Sequence, residues 1–204
     1  EKIEKWSNGI VIGPALGYDL PARELFLHTL NLLKRTNQFA VIDADAIHIL
    51  GDVLREQAFS SLSDKVQYLT EILPEKSVLT PHLKELSYLF DLSMNEIKGN
   101  LLELARKLAE SRFVFVIKDA RTLVAANHQV YINTTGNEGM ATGGSGDVLT
   151  GIIGALLAQG MPLFEAGCLG VYLHGLAGDM AKENLGSYAL MASDLTDYLP
   201  EVLF

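Results

Sequence analysis

Asp147 stands directly after Gly143, Gly144, Ser145 and Gly146 in the segment TGGSGDVLTGIIGALLAQG, where a glycine-rich turn gives way to an apolar helix. Glycines in such a turn let main-chain N–H groups converge with no Cβ in the way. A helix beginning near Ser145 adds its unpaired first-turn amides and the positive end of its dipole. That combination suits an anion. A carboxylate in the first turn is ordinarily a dipole partner, but beside a bound phosphoryl group it can take the proton of an attacking hydroxyl. Glycines spaced only for close packing would give the same pattern, and both readings stand on these residues alone. No GK[ST] follows the glycines, which excludes a Walker A loop.

Other reactive side chains close strand-like runs. Asp43 and Asp45 follow FAVI, Lys118 ends FVFVIK, and His82 and Glu85 follow Pro81 after SVLT. Each has a plainer alternative: helix capping for the two aspartates, solvation for the lysine, and a backbone bond at a helix start for the histidine.

The elements that must position these residues alternate along the chain. GIVIG (9–13) predicts a strand, and the leucines after Pro21 predict a helix. Phe39 to Ile42 is a continuous apolar strand, residues 63–73 are helical, and Ser77 to Leu79 is a short strand that breaks at Pro81 into a helix. Ser93 and Glu96 have capping-box spacing, and Ile97, Leu101, Leu104, Ala105 and Leu108 share a face, predicting one helix to near Ser111. TLVAA and QVYIN flank Asn127-His128 as a hairpin, and everything from Ser145 onward reads as helix. The helix opened by Ser145 is apolar nearly all round, which predicts burial on every side. Strands alternating with helices imply a mostly parallel sheet with helices on both faces, an α/β class in which ligands bind beyond the carboxyl ends of the strands.

With 204 residues, 49% apolar and 20% charged, the chain is long enough for one well-filled domain and too apolar for disorder. A net charge of −9 without a basic run argues against nucleic acid or anionic lipid as a partner. No apolar run is long enough to span a bilayer, and the single cysteine, Cys168, fits a reducing compartment, so a cytoplasmic location is expected. The apolar residues from Phe164 to Ala181 suit either an internal core or the interface of a homo-oligomer, which is the expected assembly.

ATGGSGDVLTGIIGALLAQG resembles the anion-hole signature of the ribokinase-like superfamily. Within it the chain is similar to the ADP/ATP-dependent NAD(P)H-hydrate dehydratases. GPALG matches that family's GPGLG, VIDADAIHIL its VLDADALN, LTPHLKEL its LTPHPGEF, and IKDARTLVA its LKGAGTVIA. FEAGCLGVYLHGLAGD matches a helix of the same kind. The resemblance covers practically the entire chain and implies a three-layer α/β/α sandwich over residues 1–204, read as the C-terminal portion of a longer protein. A missing N-terminal segment and a fused epimerase domain are part of that expectation.

By the same resemblance Asp147 is the general base and touches substrate. Gly144, Ser145 and Gly146 give amides to the transferred phosphoryl group, and Lys118, Asp119, Ala120, Arg121 and Thr122 lie along ADP or ATP. Gly17 and His82 contact the NAD(P)H hydrate, and Glu85 is linked to Mg²⁺ through water. Asp43, Asp45 and Gly143 are second-tier site residues. Asp119 and Arg121 replace family glycines, so Asp119 would repel a polyphosphate unless Mg²⁺ or Arg121 compensates. The alternatives are a ribokinase-like kinase that stops after phosphoryl transfer to a vitamin precursor or sugar, and a non-catalytic nucleotide-binding protein.

Overall fold

Runs of apolar residues too short to form helices become the sheet. The computed structural model describes residues 7–203. Its six strands are β1 (Gly9–Ile12), β2 (Phe39–Ile42), β3 (Ser77–Leu79), β4 (Val114–Ile117), β5 (Leu123–Ala126) and β6 (Gln129–Ile132), side by side in chain order. β1 to β4 are parallel and β5 and β6 antiparallel. The hairpin turns on Asn127 (φ 51°) and His128 (φ 59°), both in the left-handed region that two-residue hairpin turns demand.

Strand order that advances in one direction sends every right-handed crossover to the same face of the sheet. α1 (Leu20–Thr36), α2 (Ala44–Arg55), α3 (Leu62–Ile72), α4 (Leu83–Phe90), α5 (Met94–Gly99) and α6 (Leu101–Leu108) all lie there. The opposite face is left for α7 (Ser145–Ala158) and α8 (Leu163–Leu185), and α9 (Ala192–Val202) packs on these two helices.

The period of two along each strand divides the core accordingly. Ala40, Ile42, Leu79, Phe115 and Ile117 meet Phe26, Leu50 and Phe90, whereas Val41, Val78, Val114, Val116 and Val124 meet Leu149, Ile153 and Ala166. The result is the three-layer α/β/α sandwich expected of the ribokinase-like class.

Two expectations are corrected. The helix predicted from Ser93 to near Ser111 is broken at Asn100 (φ −139°), which closes α5 and opens α6, so the shared apolar face is built from two short helices. The Ser93–Glu96 capping box is present. α7 is not buried on every side: Asp147, Gly151, Ala155 and Ala158 are exposed. α7 rests on the sheet through Leu149, Ile153 and Leu157, and no described residue covers its outer stripe of small side chains. Among the described residues no helix is long and apolar enough to cross a membrane.

Candidate functional site

The carboxyl ends of β1 to β4 deliver Gly13, Asp43, Thr80 and Lys118 to one edge of the sheet, and α7 begins above them. Gly144 opens α7 with φ 88°, a backbone conformation that costs a side-chain-bearing residue dearly. At Gly146 the constraint is space, since a Cβ there would lie 3.2 Å from the Lys118 Nζ. Gly143 meets neither condition, because a Cβ there would have nothing within 4 Å.

The Ser145 amide donates to the Thr142 carbonyl at 3.3 Å and closes the turn. One of the three amides expected to meet a phosphoryl group is therefore already engaged. Those of Gly143, Gly144, Gly146 and Asp147 carry no hydrogen bond to any described residue. Asp147 itself is exposed, and its carboxylate has no hydrogen bond or ion pair among the described residues. Four open amides, a helix dipole and a free carboxylate thus share one turn.

Below that turn lies a buried charge network. Asp43 is 1% exposed and occupies the N-cap position of α2, yet its side chain makes no capping bond. Instead Oδ1 accepts from Lys118 Nζ at 2.6 Å and Oδ2 from Thr150 Oγ1 at 2.6 Å. Lys118 is held further by its amide on the Pro81 carbonyl (2.8 Å), and Glu85 Oε2 lies 4.0 Å from its ammonium. Of the two plain alternatives, capping by Asp43 and solvation of Lys118, neither holds: each group neutralises the other.

His82 does bond backbone, as one expectation had it. Its Nδ1 accepts the Glu85 amide at 3.0 Å while Glu85 Oε2 accepts the His82 amide at 2.7 Å, and the His82 side chain is still 48% exposed. Asp45 Oδ2 accepts the Gly17 amide at 2.7 Å, so it braces the GPALG loop across the sheet edge.

Asp119, Ala120 and Arg121 are exposed and Thr122 half-buried on the turn between β4 and β5. Arg121 Nη1 donates to the Thr134 carbonyl at 3.1 Å, and no ion pair joins it to Asp119 among the described residues. The described residues contain no cluster of three or more His, Cys, Asp or Glu able to hold a metal ion. With Glu85 engaged in its capping box, the donor set does not fit a directly ligated cation. A Mg²⁺ that keeps its waters and rides on phosphates needs no such cluster.

Three neighbours of the site were not singled out by sequence. Thr150 sits one turn beyond Gly146 and bonds its carbonyl at 2.8 Å as well as Asp43. His174 on α8 reaches the Ser145 carbonyl through Nε2 at 2.9 Å and braces the first turn of α7. The third is Tyr18, directly after Gly17. A histidine inside a helix rich in glycine and alanine was the available signal for His174, and nothing local marks Thr150. From the far side, Asp179 accepts from the Gly136 amide and from Asn137 Nδ2, both at 2.9 Å, and so ties the approach to the glycine turn onto α8.

Burial, with the Lys118 charge nearby, pushes His174 down to about 4 from its ordinary 6.5, even though its bond to Ser145 favours the protonated ring. A base whose folded value is depressed binds fewer protons folded than unfolded between those two values. Its stabilising contribution is complete above the unfolded value and is lost as pH falls through the folded one. The loss amounts to at most ~3 kcal/mol. Urea midpoints measured from neutral pH downward should therefore fall more steeply for the natural protein than for His174→Gln. Parallel curves through that window would remove His174 as the source.

Comparison with known proteins places this architecture. A family model described as NAD(P)H-hydrate dehydratase matches residues 1–201. The chain belongs to the NAD(P)H-hydrate dehydratase family. A bifunctional NAD(P)H-hydrate repair enzyme of Moorella thermoacetica is 43% identical over 196 residues, covering 95% of this chain and 34% of that protein. Among solved structures, a ribokinase-like superfamily protein of Enterococcus faecalis superposes with a TM-score of 0.79 at 32% identity, covering 98% of this chain and 64% of that one. An ADP/ATP-dependent NAD(P)H-hydrate dehydratase of Bacillus subtilis, co-crystallised with ATP/Mg²⁺, gives 0.74 at 26% identity, covering 96% and 64%. This member of the dehydratase family thus spans about a third of its Moorella relative.

Proposed function

We propose that this chain carries out the ADP- or ATP-dependent dehydration of hydrated NAD(P)H. The observation that carries the proposal is the turn in which open amides of Gly143, Gly144, Gly146 and Asp147 stand beside an unpaired carboxylate. Membership of the dehydratase family and the nucleotide dependence of the Bacillus relative support it.

In the first step Asp147 takes the proton of the ring C6 hydroxyl as its oxygen bonds the phosphorus and the bond to the leaving nucleotide breaks. The open amides hold the phosphoryl oxygens where charge develops. Lys118, steered by Asp43, faces the polyphosphate, and residues 119–122 run along the nucleotide. Gly17, braced by Asp45, and His82 hold the hydrate. Mg²⁺ carried on the nucleotide would neutralise phosphate charge, and Glu85 is the residue that would hold it through water.

In the second step the C6–O bond breaks and phosphate leaves with the electron pair. The ring nitrogen assists, and loss of a proton from C5 restores the double bond. Phosphorylation is what makes this departure feasible, since hydroxide leaves poorly and phosphate well. We place the reaction in the cytoplasm and in a homo-oligomer; the single, half-buried Cys168 is in keeping with a reducing compartment.

Purified protein given hydrated NADH with ADP or ATP should regain the near-ultraviolet absorbance of reduced nicotinamide and release one phosphate per turnover. A stable phosphorylated alcohol would instead make it a kinase. Nucleotide binding without either product would make it a binding protein.

A further inference from the structure

Tyr18 is 62% exposed, yet its ring is packed against a neighbour. The neighbouring Asp45 carboxylate, the same one that takes the Gly17 amide, together with burial and further negative charge raises the phenol to about 12. Its ring meets His48 edge-on, with centroids 5.4 Å apart and planes at 72°. His48 in turn leans on Tyr88 at 4.6 Å. Tyr88 is fixed by its hydroxyl on Asp52 (2.5 Å) and by the Arg55 guanidinium 3.6 Å over its ring.

This chain of contacts has an energetic meaning. An aromatic ring left in water gains nothing for the fold, and a free tyrosine would sample several rotamers. Here the contact with His48 restrains the rotamer in advance, so a flat ligand that lies on the ring pays less ordering entropy. Tyr18 directly follows Gly17, whose amide bonds Asp45, which puts the ring at the same strand ends as those two residues.

We propose that the Tyr18 ring is the stacking platform for the pyridine-derived ring of the substrate dinucleotide. The inference rests on the dehydratase reading above. Hydration at C6 leaves the N1–C2=C3–C=O system of that ring conjugated and planar, so the hydrate and the finished NAD(P)H both offer a flat face. The phenol stays protonated, and no proton moves through it.

The test compares Tyr18→Ala and Tyr18→Phe with the natural protein in hydrate turnover and in titrations with reduced nicotinamide mononucleotide and with ADP. Tyr18→Ala should raise KM for the hydrate and Kd for the mononucleotide about tenfold. kcat should stay within about twofold and Kd for ADP unchanged, as for a binding group remote from the phosphoryl transfer. Tyr18→Phe, which keeps the ring and loses only the hydroxyl, should recover most of the affinity. The platform is overturned if Tyr18→Ala binds the mononucleotide as the natural protein does, if ADP weakens equally, if Tyr18→Phe loses as much as Tyr18→Ala, or if the natural protein does not bind the mononucleotide. Absent turnover in the natural protein would fail the dehydratase reading itself, a result distinct from each of these because binding is read separately.

Discussion

Asp147→Asn should lower hydrate turnover by about 10²- to 10⁴-fold, the range set by loss of a positioned general base. The substitution keeps the shape of the side chain and the first turn of α7. Asp147 is exposed and bonded to no described residue, so the thermal midpoint should hardly move. Nucleotide affinity should hold or rise slightly, since a negative charge beside the phosphates has been removed. Kinetics should show kcat and kcat/KM falling together, the signature of an interaction made only in the transition state. Retention of a tenth or more of the natural rate would mean that the hydroxyl proton leaves by another route, and the carboxylate would revert to a dipole partner of α7.

The architecture was largely legible because each strand is a short, mostly apolar run closed by a polar residue or glycine. The Asn127-His128 turn is a pair of residue types that tolerate positive φ. The misreadings have local causes: Gly99-Asn100 breaks a helix that its apolar face alone would continue. The composition of α7 suggests burial on every side, while its outer face consists of Gly151, Ala155 and Ala158, residues whose small size says little about which way they point.

The glycine turn and Asp147 were readable as a unit because their chemistry is contiguous. The charge network beneath them was not. Lys118 and Asp43 lie 75 residues apart, and Thr150 and Asp43 lie 107 apart. Taken singly, Asp43 and Lys118 have capping and solvation as their ordinary roles, and nothing local marks Thr150. The register of β2 against β3 and of β3 against β4 brings Asp43 and Lys118 together, and the packing of α7 on the sheet adds Thr150.

That network yields the second large effect. Lys118→Met removes the partner of a carboxylate that is 1% exposed, and a buried charge left unpaired costs about 3–5 kcal/mol. For a chain of this size each kcal/mol is worth roughly 2–4 °C in thermal midpoint, so the fall should be about 10 °C. Thr150 would still donate to Asp43 Oδ2, which sets the loss at the lower end of the range. Asp43→Asn combined with Lys118→Met removes the stranded charge at position 43, where an amide can still accept from Thr150, while Glu85 keeps its bond from the His82 amide. The double variant should recover most of the lost midpoint. ADP binding separates the two contributions of the lysine, because the double variant regains the fold without regaining an ammonium for the polyphosphate. Thermal scans should then rank natural protein, double variant, single variant, while ADP titration should rank both variants well below the natural protein. Recovery of ADP affinity along with stability would mean that Lys118 serves only to neutralise Asp43.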